Sequence, residues 1–181
     1  TLLQYRAKAL VAAERAVAAR ALCALSHRYA ARFIVNDDLA LALAVDADGV
    51  HLGAADGDLY AARQQLGAGR LLGASCYADL GRARAAAAAG ADYLAFGAVY
   101  PSPSKPQAPC APHTLFRQCR DELGIPLCAI GGITLDRAPA LLAAGADLLA
   151  VISDLFSAPD VALRAVAYES LFAERKSHEF T

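Results

Sequence analysis

An α/β fold of parallel βα units is predicted by three observations in this 181-residue sequence. Short runs that are apolar throughout alternate with Ala- and Leu-rich stretches whose apolar residues recur at spacings of three and four. Strands of that kind are buried on both faces, as in parallel sheets covered by helices. Second, one frame recurs, as "VDADGVHLG", "AGADYLAFG" and "AGADLLAVI". In each, a helix ends, Ala-Asp follows and a strand begins. Third, polar residues or glycine follow nearly every strand: Arg6, Asn36, Asp56, Ser75, Ser102, Gly132 and Ser153. An open sheet gathers its ligand at one switch point, whereas a closed barrel brings every strand end to one mouth. The spread of polar ends therefore favours a TIM (β/α)8 barrel.

The elements follow in order. "LLQYR" is the first strand, and "LVAAERAVAARALCALSHRYA" has helical spacing. "FIVND" is the second strand, after which Asp38 is placed to cap the helix "LALALAV". "GVHLG", "LLGAS" and "YLAFGAV" are the next three, and Gly90 suits the helix C-cap before the last of them. A long connection from Pro101 to Pro112 leads to the helix "HTLFRQCRDELG" and then to "PLCAIGG". Gly145 is a second C-cap, and "LLAVIS" is the seventh strand. Seven strands are one short of eight. The chain also lacks methionine and begins abruptly within a strand, so one further βα unit is expected before Thr1. A single barrel domain over residues 1–181 is expected, with no linker.

Composition removes several classes of function. The net charge of −1 leaves no basic field for nucleic acid, and charged residues interrupt the apolar stretches before any can span a membrane. Five cysteines without a CxxC pair are neither a disulfide framework nor a zinc site. They read as small apolar residues in a reducing cytoplasm. Nothing here speaks to oligomeric state.

The chemistry sits at the strand ends. Gln4, Arg6 and Lys8 alternate, so on an extended strand end they point to one side, one amide and two cations suited to a diphosphate. Only three lysines stand against fourteen arginines, and Lys8 and Lys105 are both at strand mouths. Asn36 is the only asparagine of the chain. Asp37 and Asp56 follow consecutive strands, and two carboxylates at one rim suit Mg²⁺, which keeps most of its ligands as water and phosphate oxygens. "YPSPSKP" offers Ser102, Ser104 and Lys105 on a proline-stiffened loop. Gly131-Gly132 with Ile152 and Ser153 suits the phosphate site commonly found after late barrel strands. His51, in mid-strand, is expected in the packed interior, and no Ser-His-Asp or Cys-His arrangement can be argued.

In this order "QYRAK", "FIVNDD", "ADGVHLG", "GAS", "GADYLAFGAVYPSPSK", "AIGGI" and "VIS" resemble the thiamine-phosphate synthase family, from Gln4 to about Phe156. The resemblance implies a TIM barrel that this chain enters at the second strand. It implies transfer of a pyrimidine, from 4-amino-5-hydroxymethyl-2-methylpyrimidine diphosphate, to a thiazole phosphate. Thiamine phosphate and diphosphate would be the products, two phosphorylated small molecules the partners, and Mg²⁺ the cofactor. By position it places Gln4, Arg6, Lys8, Asn36, Ser75 and Lys105 at the pyrimidine diphosphate and Asp37 and Asp56 at Mg²⁺. Ser102, Ser104, Gly132, Ile152 and Ser153 fall at the thiazole phosphate. Arg6, Lys8, Ser75 and Lys105 would be catalytic. The sequence departs from the family pattern at Ala7, Ala54 and Ala55, where Glu, Gln and Glu are common, and in the proline-rich run after Lys105. Two alternatives remain: a thiazole tautomerase relative, which needs neither diphosphate nor metal, and a non-catalytic barrel that binds thiamine precursors.

Overall fold

The computed structural model describes residues 1–101 and 110–178. Ser102, Ser104 and Lys105 lie outside the described residues. Strands and helices alternate along the chain: β1 (Leu2–Tyr5), α1 (Ala12–Arg28), β2 (Arg32–Asn36), α2 (Leu39–Ala44), β3 (Gly49–Leu52), α3 (Leu59–Leu66), β4 (Leu71–Tyr77) and α4 (Leu80–Ala88). Next come β5 (Tyr93–Gly97), α5 (Thr114–Leu123), β6 (Leu127–Ile130), α6 (Ala138–Ala144), β7 (Leu148–Ala150), α7 (Ser153–Phe156) and α8 (Val161–His178). The seven strands pair in sequence order in one sheet. The α/β architecture with a seven-stranded parallel sheet is thus the one expected.

The chain folds into two compact units. The first comprises residues 1–76 and 81–94. In it β1, β2, β3 and β4 pair in parallel, with Tyr5 beside Val35, Asn36 beside His51 and Leu52 beside Ala74. Phe33, Val35, Val50 and Leu72 are buried, and Ala19 and Cys23 of α1 join the same cluster. Ala19, Cys23 and Ser26 lie at helical spacing on the buried face of α1, small residues that let the helix lie close to the sheet. Asp38 caps α2, its Oδ1 accepting from the Leu41 N–H at 2.9 Å, as its spacing predicts.

The second unit comprises residues 77–80 and 95–181. β6 and β7 pair in parallel, with Ile130 beside Ala150. Phe96 and Phe116 meet edge to face at 5.5 Å, and Leu127 and Leu141 are fully buried. Gly145 closes α6 in the left-handed conformation, as expected of a C-cap glycine.

The recurring Ala-Asp frame has one structural cause. Asp48, Asp92 and Asp147 each precede a strand, and each carboxylate accepts the backbone N–H near the start of the preceding strand. The acceptors lie 2.7 Å from Phe33 N, 2.6 Å from Leu72 N and 3.0 Å from Leu127 N. The backbone N–H of each aspartate returns a bond to the carbonyl of that same residue. A basic side chain from the helix that leads into the clamped strand also bonds each carboxylate: His27, Arg63 and Arg120 in turn. A frame that recurs in sequence is thus a repeated clamp between the starts of two strands.

Candidate active site

In the first unit the ends of β1, β2 and β3 bring six of the expected residues together. The Gln4 amide donates from Nε2 to Asn36 Oδ1 at 3.1 Å, linking the ends of two strands. Lys8 Nζ lies 2.8 Å from Asp37 Oδ2. It arrives there by a route the alternation did not predict. β1 ends at Tyr5, and Lys8 sits in the turn that follows, where the Leu10 N–H bonds Ala7 O. The extended strand end is therefore too short to carry Gln4, Arg6 and Lys8 on one side, and a turn delivers the ammonium instead.

Asp37 is held at φ 66°, a left-handed conformation that costs a non-glycine residue energy. Its N–H donates to His51 O at 2.9 Å, which fixes that conformation against β3. Burial alone would push its carboxyl up. The Lys8 hydrogen bond, a hydrogen bond with Asp56 and the charges of Lys8 and Arg6 outweigh burial and hold it below the usual carboxylate range. Asp56 is itself anchored in a tight turn, where its Oδ2 accepts from the Gly53 N–H at 2.8 Å. Arg6, Lys8, Asn36 and Asp37 line a cavity of about 310 Å³. Arg15 of α1 lines it too and pairs with Asp38 at 3.2 Å. Sequence patterns do not reveal Arg15, because a lone arginine in a helix carries no local signal of what it faces.

Ser75, half-buried near the end of β4, belongs to a polar chain. Its Oγ is 2.8 Å from His51 Nε2, and His51 Nδ1 is 3.0 Å from the Tyr93 hydroxyl. His51 is buried, as its mid-strand position predicts. Burial lowers its pKa to about 4, against a smaller opposing pull from Asp37, so the ring is neutral. Tyr93 gives no functional signal in the sequence either, since an interior tyrosine looks like core.

The second unit holds the glycine turn. Gly131 and Gly132 have φ of 101° and 63°, and a Cβ on Gly132 would come within 2.8 Å of Pro101 O and 2.9 Å of Tyr100 Cβ. Glycine is required there on both counts. Arg137 donates to Gly132 O at 2.9 Å and stacks on the Tyr100 ring at 5.0 Å. Ile152 and Ser153 follow β7 and are exposed. β7 stops at Ala150, so Ser153 opens α7 instead of ending the strand "LLAVIS". Gly132 and Ile152–Ser153 thus follow two paired strands. Among the described residues no group of three or more His, Cys, Asp or Glu is arranged to hold a metal ion.

Residues 1–155 match the family model described as thiamine monophosphate synthase. The chain belongs to the thiamine monophosphate synthase family. Curated relatives agree. A thiamine-phosphate synthase of Aromatoleum aromaticum is 60% identical, over 94% of this chain and 82% of its own length. One of an Azoarcus species is 57% identical, over 95% and 84%. Among solved structures, thiamine phosphate pyrophosphorylase from Pyrococcus furiosus superposes with a TM-score of 0.87 at 36% identity, covering 96% of this chain and 83% of that one. Membership of the synthase family makes the protein a transferase. No helix among the described residues is long and apolar enough to cross a membrane.

Proposed function

We propose that this synthase joins 4-amino-5-hydroxymethyl-2-methylpyrimidine diphosphate to a thiazole phosphate, with Mg²⁺, giving thiamine phosphate and diphosphate. One observation carries the reading: Lys8 and Asp37 meet beside Arg6 at one cavity of the first unit, and Asp56 is in hydrogen-bonding contact with Asp37. Two carboxylates in hydrogen-bonding contact repel when both are ionised, and a divalent cation relieves that repulsion. The pair therefore fits Mg²⁺, with Asp37 and Asp56 as its protein ligands. When bound, the ion would neutralise charge on the diphosphate.

The substrate carbon–oxygen bond breaks with its electron pair leaving on diphosphate. The electron-rich aminopyrimidine stabilises the cation, and the thiazole nitrogen captures it to form the carbon–nitrogen bond. Little proton transfer is needed, which suits a site without a catalytic triad. Arg6 and Lys8 meet the charge that develops on the departing group, a preorganised electrostatic role. Gln4 and Asn36, already bonded to each other, present amides to the same substrate. Ser75 and Lys105 complete the diphosphate contacts. Ser102, Ser104, Gly132, Ile152 and Ser153 receive the thiazole phosphate, which does not leave. The reading takes residues 1–181 as one catalytic domain of the eight-unit barrel class, working in the cytoplasm. A tautomerase without diphosphate would have no use for the ionic cluster at Asp37.

The test is thiamine phosphate formation from the two purified substrates. Mg²⁺-dependent product with stoichiometric diphosphate is expected. Absence of product at saturating Mg²⁺ overturns the function, and full turnover in a chelator overturns the metal assignment.

A further inference from the structure

We propose that His51 is a positioning residue: it accepts the Tyr93 hydroxyl proton at Nδ1, donates from Nε2–H to Ser75 Oγ, and so leaves the Ser75 O–H free to point at the diphosphate. The inference rests on the function proposed above and adds how the serine is aimed.

All the residues involved belong to the first unit. His51 is 7% exposed, and both ring nitrogens are within hydrogen-bond reach, 3.0 Å to Tyr93 and 2.8 Å to Ser75. A neutral imidazole has one N–H donor and one acceptor, so the partner on one nitrogen dictates what the other does. A phenol O–H is a stronger acid than an alkyl O–H and makes the better bond to an imidazole lone pair. Tyr93 therefore donates to Nδ1, and the ring proton resides on Nε2. Ser75 Oγ then accepts, and its own hydrogen is released for another partner. The opposite tautomer would spend the serine proton on the ring and turn only lone pairs toward an anion.

The phenol is fixed in place by a missing side chain. A Cβ on Gly73 would lie 2.1 Å from Tyr93 Cζ and 2.3 Å from its hydroxyl. The polar end of Tyr93 occupies the notch that glycine leaves in β4, next to Ser75 on the same strand. The glycine of "LLGAS" is thus accounted for by this arrangement.

The test uses the full chain. Nitrogen-15 spectroscopy of the histidine rings at neutral pH should show His51 as the Nε2–H tautomer, and an Nδ1–H ring overturns the proposal whatever the turnover. A double-mutant cycle gives the kinetic side. Tyr93→Phe keeps the ring in the Gly73 notch and removes the hydroxyl. It should lower kcat about tenfold, the scale of one hydrogen bond, with the diphosphate KM changed by less than about twofold. In a Ser75→Ala background the same change should cost nothing further. Equal losses in both backgrounds mean that Tyr93 acts through packing and overturn the proposal. Wild-type protein that forms no thiamine phosphate overturns the underlying function, and with it the serine's role. An active enzyme with additive losses overturns the positioning role alone.

Discussion

Aspartates stand at both ends of the strands, and the two sets are held in opposite ways. At the strand starts Asp48, Asp92 and Asp147 are each bonded to a backbone N–H and a basic side chain. Every donor there is supplied by the fold itself. At the strand ends Asp37 and Asp56 touch each other beside the exposed Lys8 ammonium, the Gly53 N–H is the backbone donor to Asp56, and Asp37 sits in a costly backbone conformation. A carboxylate satisfied by fixed donors stabilises the fold. A pair of carboxylates turned on each other is not satisfied in that way, and under the function proposed above an incoming cation would complete it. The difference teaches that residue type is no guide to role here, and the identity of the partners is.

The largest effect should come from the strand ends. Asp37→Asn and Asp56→Asn should each lower kcat/KM by roughly 100- to 1000-fold with the fold retained by circular dichroism. Wild-type rates in both variants at limiting Mg²⁺ would erase the contrast between the two sets.

Between the two ends lies His51, and pH reports on it. In the unfolded chain its ring titrates near 6.5, in the folded chain at about 4. The unfolded state therefore binds more protons between those values. Stability from this group is complete above pH 6.5 and drains as pH falls toward 4, by roughly 3 kcal/mol. Denaturant titrations across that window should show the decline, and His51→Gln should flatten it. An unchanged slope in the variant assigns the decline to other groups.

At the strand starts, Asp92→Ala and Asp147→Ala each orphan a backbone donor and should cost about 1–3 kcal/mol by urea unfolding. Activity per folded molecule should stay at the wild-type level. A selective loss of turnover at wild-type stability would reverse the roles assigned to the two ends.

Gly132→Ala tests the second unit. The left-handed φ of 63° and the crowding by Pro101 O should lower stability by about 1–2 kcal/mol. The thiazole phosphate KM should rise more than the diphosphate KM. A selective rise in the diphosphate KM would place the substrates the other way round.

The smallest effect is the most diagnostic. Asp37→Gly removes the strained side chain, so the melting temperature should hold or rise, by a gain of at most about 1 kcal/mol, while activity is lost. A clear drop in stability would make Asp37 a structural residue like Asp92.

The sequence by itself determined the alternation of strands and helices, the Asp38 cap and the repeated Ala-Asp frame. Those signals are local: apolar periodicity, a cap three residues from its acceptor, a glycine closing a helix. It also placed Asn36, Asp37, Asp56 and Ser75 at strand ends, because a polar residue after a buried strand stands out on a line of text. Tertiary structure alone decided who meets whom. The ring of His51 finds Tyr93 42 residues away and Ser75 24 away, and Gln4 finds Asn36 across 32. No spacing rule links such pairs, since strand register and the notch at Gly73 bring them together. Lys8 makes the same point by its failed expectation. Alternation placed it on an extended strand, but β1 ends at Tyr5, and only the folded turn brings the ammonium to within 2.8 Å of Asp37. Charge and hydrogen-bonding capacity are properties of residues. Their direction is a property of the packed chain.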